Sequence, residues 1–230
     1  MIKSFLITAS LSIFLFSSQQ IVLVVANDMN SSSAKLECYE GSNRVFQTMR
    51  VNLGKNGLGW GVESEAFQKK PDEALKYEGD KKAPAGIFKL TDIFGYSPKG
   101  KYALPYLYAD TNLICVDDTD ANFYNQIIMA NGDEKSFEYM RRKDNQYKLG
   151  IVVGYNKQAR KGRGSCIFIH IQRAPNTPTV GCTSMSEKDI KKILNWLDKK
   201  KNPVLVQIPK KSAKEVLQLY PQLKNSKLLK

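Results

Sequence analysis

A single histidine, His170, and four cysteines, Cys38, Cys115, Cys166 and Cys182, are the residues of this 230-residue sequence with the sharpest chemistry. One imidazole excludes zinc sites built on two or three histidines. No C-x-x-C pair and no conspicuous pair of carboxylates stands out. Any pairing of a nucleophile with an imidazole must therefore use His170. Cys182 follows it by 12 positions, in Gly181-Cys182, just ahead of a helix start. Gly181 allows a tight turn beside the thiol. Amides left free near a helix start could hold an oxyanion and would favour the thiolate. An imidazole base does the same, because thiolate is the nucleophilic form. The chemistry on offer is attack of sulfur on an amide carbonyl. The bland alternative, a small buried cysteine and a satisfied core histidine, stays open on spacing alone.

The elements that must position this pair are mostly strands. Residues 166–172 alternate, with Ile167, Ile169 and Ile171 on one face and Cys166, Phe168, His170 and Gln172 on the other. Cys166 lies roughly 13 Å from His170 along such a strand and reads as packing or a disulfide partner. A Pro-containing loop, 173–179, separates the histidine from the cysteine. Ser186 and Asp189 have capping spacing, and Ile190, Ile193, Leu194 and Leu197 form the apolar stripe of the helix that follows. Lys199–Lys201 and Pro203 end it, and Val204–Ile208 reads as a further strand. Upstream, strands are expected at 44–51, 86–90, 113–116 and 149–155. Residues 94–96 (Phe-Gly-Tyr) read as an exposed turn and Ser136–Arg142 as a short helix. No βαβ repetition is visible, so a doubly wound sheet is disfavoured.

The first 26 residues have one charge, Lys3, then an apolar run and a small residue, Ala26, in the layout of a secretory leader cleaved after Ala26. Residues 27–35 read as a mobile stub, 36–209 as the folded domain, and 210–230 as a basic tail, helical or frayed. Net charge is +13, with positives scattered over the chain. A basic exported protein meets anionic wall polymers or lipid headgroups; no nucleic-acid motif is present. Export permits disulfides. With Cys182 kept free, Cys38, Cys115 and Cys166 allow at most one bridge in three possible pairings.

Residues 166–209 resemble the active-site segment of the YkuD-type L,D-transpeptidases. The resemblance rests on Ser-Cys-Ile-Phe-Ile-His170, on Thr179-Val-Gly181-Cys182-Thr-Ser-Met185, and on the closing Pro-Val-Leu-Val-Gln-Ile-Pro. A second stretch, Glu78-Gly79-Asp80, Pro84-Ala85-Gly86-Ile87-Phe88 and Phe94-Gly95-Tyr96, is similar to the family's N-terminal half and in the same order. The resemblance implies a mainly β, YkuD-like β-sandwich with small peripheral helices. It implies peptidoglycan L,D-transpeptidation on tetrapeptide stems by a monomer in the periplasm or cell envelope, needing no metal or cofactor. Cys182 would be the nucleophile and His170 the general base, with the Ile171 backbone carbonyl orienting the ring. The amides of Gly181 and Cys182 would form the oxyanion hole, and Arg173, Thr183 and Ser184 would meet substrate. Val180 and Ser184 depart from the polar or cationic residues common in the family, which leaves substrate choice open. The same residues serve hydrolysis by an L,D-carboxypeptidase. A wall-binding protein of this fold without turnover is the rival.

Overall fold

A computed structural model describes residues 19–230. Among these described residues fourteen strands follow one another. The first five are β1 (Gln20–Ala26), β2 (Ser33–Glu40), β3 (Asn43–Arg44), β4 (Met49–Asn52) and β5 (Leu58–Trp60). Next come the long β6 (Ala83–Gly95), then β7 (Tyr106–Tyr108), β8 (Leu113–Val116), β9 (Ile127–Met129) and β10 (Phe137–Tyr139). The last four are β11 (Leu149–Gly154), β12 (Phe168–Ile171), β13 (Thr183–Met185) and β14 (Val204–Pro209). Among the described residues two helices, α1 (Glu187–Trp196) and α2 (Ala213–Leu219), lie at the periphery. The mainly β fold with small helices is as the sequence predicts. Among the described residues no helix is long and apolar enough to cross a membrane.

The main sheet runs β1-β14-β6-β11-β12-β13-β4-β2, and β1 also pairs with β2, so the path closes on itself. Closure removes the open edges that a two-sheet sandwich would leave. Inside lies the principal core, with Leu23, Leu36, Phe88, Ile151, Ile169 and Val206 among its members. The β-branched run of β1 is buried along its whole length, paired in parallel with 204–209 and antiparallel with 34–40. The expected leader boundary is corrected here: a cut after Ala26 would remove the strand that closes the ring. The first 18 residues of that expected leader lie outside the described residues. The stub at 27–35 is corrected too, since Ser33 already opens β2 and the Met29 carbonyl accepts from the Leu58 amide at 2.7 Å.

The C-terminal tail is neither separate nor frayed. Val216, Leu223, Leu228 and Leu229 join the principal core. Ser226 Oγ donates to the buried Glu37 carboxylate at 2.8 Å. Glu37 also accepts from Tyr39 at 2.6 Å, Thr48 at 2.9 Å and Arg44 at 3.0 Å. Those donors outweigh the desolvation that would raise its pKa and hold it below the usual carboxylate value.

Between β6 and β11 the chain makes an excursion that carries a second sheet, ordered β10-β8-β9. Ser136–Arg142, expected as a helix, contains strand β10 instead, paired antiparallel with β8. Phe94, expected in an exposed turn, is inside β6 and fully buried. It belongs to a second core with Leu113, Cys115, Met140, Tyr147, Cys166, Phe168 and Cys182. This core lies between the outer face of the ring and the small sheet. The Cys115–Cys166 disulfide ties β8 to the residue pair preceding β12, so of the three pairings this one forms. Cys38 remains a buried free thiol in β2. Arg141 closes the excursion's ends by donating to the carbonyls of Ala109 and Tyr96, each at 2.8 Å.

Candidate active site

His170 is placed by strand alternation. Ile167 and Ile169 enter the principal core, while Cys166 and Phe168 enter the second, so His170 faces the small sheet. Its Nδ1 lies 2.8 Å from the Ile171 carbonyl. A carbonyl only accepts, so the neutral ring carries its proton on Nδ1 and leaves Nε2 as the basic nitrogen. Burial pulls the imidazole down to about 4, more than the Ile171 hydrogen bond raises it. The ring is therefore neutral at pH 7.

Cys182 is placed by the loop before β13. Thr179 is stitched to the 53–55 segment, its amide donating to Leu53 O and its carbonyl accepting from Lys55, both at 2.8 Å. Its Oγ1 then donates to the Cys182 carbonyl at 2.6 Å and accepts from the Gly181 amide at 3.2 Å. Gly181 has φ +157°, a conformation L side chains rarely adopt. The loop thus turns sharply and delivers Cys182 to the start of β13, which runs parallel to β12 with Ile169 beside Thr183 and His170 beside Ser184. One step back along that register, Cys182 shares the His170 face. Strand geometry puts the two Cα atoms roughly 8 Å apart.

The sulfur accepts from the Phe168 amide at 3.4 Å and donates to the Cys166 carbonyl at 3.6 Å, and Tyr147 packs in the same buried cluster. Among the described residues the imidazole is not one of its hydrogen-bond partners. Burial pushes the thiol up to about 12, with the Glu138 charge adding to the rise and the Phe168 amide opposing it. Tyr147 packs its ring edge-on to the imidazole, with centroids 5.2 Å apart. The Tyr147 hydroxyl donates to Glu138 Oε2 at 2.6 Å.

The other expected site residues divide. Ser184 is buried on the His170 face, 3.4 Å from the Asn52 amide nitrogen. Thr183 is corrected: it points into the ring, where its hydroxyl donates to Gln207 at 2.7 Å, and it does not face the site. The Gly181 amide, expected as a vacant oxyanion donor, is already engaged by Thr179. Arg173 is exposed at the start of the loop. Thr179, Tyr147 and Glu138 are the residues sequence reasoning missed. Thr179 had a local signal, as part of the Thr-x-Gly-Cys spacing. Tyr147 and Glu138 had none, because only the excursion's return brings them here.

The arrangement offers a buried thiol, a neutral imidazole with a free Nε2, and an amide donor, that of Phe168, at the sulfur. This suits acyl transfer through a thioester. A family described as YkuD, the L,D-transpeptidase catalytic domain, matches residues 22–206. No curated protein matches the chain. Among solved structures, the helical cell shape determining protein Pgp2 from Campylobacter jejuni is similar at 12% identity and TM-score 0.39. The alignment covers 84% of this chain and 47% of that one, so the chain spans about half its length. The family match takes in every strand of the ring, in part or whole, together with the thiol, the imidazole and the loop between them: the chain belongs to the YkuD family of L,D-transpeptidase catalytic domains.

Proposed function

We propose that the protein is a peptidoglycan L,D-transpeptidase that works through a thioester on Cys182. The observation that carries this is the placement of Cys182 and His170 on one face of adjacent parallel strands, with the ring's tautomer held by the Ile171 carbonyl. Rotation of the Cys182 side chain from the Phe168 amide towards Nε2 forms the catalytic pair, a tightening common when substrate binds. The thiol proton passes to Nε2 and the thiolate attacks the carbonyl between the L-centre of the stem's diamino acid and its terminal D-Ala. The imidazolium returns that proton to the departing D-Ala amine, leaving the acyl group on sulfur. An amine from a second stem, losing its proton to Nε2, then takes the acyl group and frees the thiol. The Cys182 amide serves the oxyanion; the Gly181 amide joins only by loosening its bond to Thr179. Arg173 and Ser184 are proposed to meet the stem peptide, one exposed at the loop and the other beside His170.

The buried position of both groups supports transfer over hydrolysis, since water is kept from the thioester. Action on the wall implies export to the periplasm or cell envelope, where the Cys115–Cys166 bridge would persist. The basic surface would favour anionic wall polymers and lipid headgroups. Incubation with tetrapeptide muropeptides is the test. Cross-linked dimers with release of D-Ala are expected from the native protein and from neither Cys182→Ala nor His170→Ala. Tripeptides alone would make it an L,D-carboxypeptidase. Equal activity of native protein and Cys182→Ala would overturn the mechanism.

A further inference from the structure

Glu138 is a buried carboxylate that the mechanism above does not use. It lies in β10, half-buried as a residue but with its carboxylate turned inward on Tyr147, 2.6 Å from the hydroxyl. Tyr147 shares the second core with Cys182, and its ring abuts His170. A phenol has one proton to give. While Glu138 is ionised, Tyr147 spends that proton on the carboxylate, and the carboxylate's charge opposes a thiolate nearby. Once Glu138 is protonated, the direction of donation reverses. The acid donates to the Tyr147 oxygen, and Tyr147 donates to sulfur.

We propose that Tyr147 is a catalytic residue that donates a hydrogen bond to the Cys182 thiolate, and that Glu138 is the positioning residue whose protonation turns the Tyr147 hydroxyl toward the sulfur. The thiol proton still goes to His170 Nε2, so the proton balance of the transfer is unchanged. Tyr147 then supplies the thiolate with a donor in place of the Phe168 amide that the resting thiol faces. The charged and titratable groups around Glu138 are Tyr147, Asp117 of the segment after β8, Arg142 after β10 and Glu78 of the loop before β6. Burial and the two acids favour its neutral form, while Tyr147 and Arg142 oppose this, and the balance lies above the usual carboxylate value. At Cys182 the charge of Glu138 opposes a thiolate and that of Lys76 favours one, with Lys76 committed to Asp80 at 2.7 Å.

This proposal rests on Cys182 being the nucleophile, but its test needs no wall substrate. The rate of Cys182 alkylation by iodoacetamide, located by peptide mass spectrometry, is followed from pH 5 to 10. Glu138→Gln mimics the neutral acid, since the new amide donates to Tyr147. It is expected to alkylate several-fold faster than native protein above neutral pH. Tyr147→Phe is expected to slow alkylation about tenfold, the scale of one hydrogen bond to a charged group, at the acid end of the range, where Glu138 is protonated and Tyr147 donates to sulfur. In the double variant Y147F/E138Q, which leaves no unpaired carboxylate, the acceleration produced by Glu138→Gln is expected to vanish. An unchanged or slower rate in correctly folded Glu138→Gln, checked by near-UV circular dichroism, would overturn the proposal. So would an acceleration of equal size with and without Tyr147, which would mean that removal of charge alone is acting. If these rates behave as expected while native protein leaves muropeptides untouched, the relation among the three residues stands and the proposed function does not.

Discussion

The imidazole and the thiol are both held in their neutral forms by burial, and each shift has a measurable consequence. His170 sits near 4 in the fold against an ordinary 6.5. Between those values the unfolded chain binds a proton that the folded chain refuses. The stability contributed by this group is therefore complete above pH 6.5 and is lost as pH falls toward 4. Urea midpoints of native protein are expected to drop through that window, and His170→Gln to flatten the drop. An unflattened profile would mean that the ring takes its proton without opening the fold. Thr179 makes a second case. Thr179→Val keeps the shape but loses the bonds to Cys182 and Gly181, at about 1–3 kcal/mol for the groups left unpaired. The proposed transpeptidation is expected to fall by more than thermal stability does, since the turn presents the proposed nucleophile; equal losses would make the clamp merely structural. The sequence made Cys182 and His170 legible, because one residue type occurs once and the other sits beside a glycine at a helix start. Tyr147 and Glu138 were invisible. Their relevance comes from the contact of Tyr147 with His170, 23 positions away, and no local pattern encodes it.

At the scale of elements, α1 and β12 were legible for local reasons. Ser186 caps α1 by accepting from the Asp189 amide at 3.1 Å, and the isoleucines of β12 alternate with the residues that face the site. The excursion was not legible. Phe137 and Tyr139 in β10 pair with Val116 and Ile114, and that pairing overrides the helical tendency of the surrounding charged residues. The Cys115–Cys166 bridge is the covalent tie between this small sheet and the ring, and it joins residues 51 apart. Chain-entropy arguments give such a loop about 4 kcal/mol. The double variant C115S/C166S is expected to melt lower by a corresponding amount. It is also expected to expose Cys182 to alkylating reagents faster, because the second core is shared between ring and small sheet. An unchanged alkylation rate would show that packing of Phe94, Tyr147 and Phe168 holds the cover without help.

At the scale of the whole molecule, the hardest feature to foresee was the role of β1. An apolar run ending in a small residue looks the same whether it is an export signal or a buried strand, because the two differ in what they pair with. The burial of Ile21 to Ala26 makes a direct prediction. A chain beginning at Asn27 is expected to lack a cooperative thermal transition and to be degraded quickly by protease. Leu23→Ala is expected to cost about 2–5 kcal/mol, read from urea unfolding. A well-folded, soluble chain starting at Asn27 would mean that the ring tolerates a missing stave. The position of β1 also bears on when the protein can fold. Its parallel neighbour, β14, is separated from it by most of the chain. As the polypeptide leaves the ribosome or a translocation channel, β1 therefore waits with one flank bare until β14 emerges. Strands with such distant partners find them slowly, so a holdase that shelters that flank should raise the yield of folded protein more than faster synthesis would.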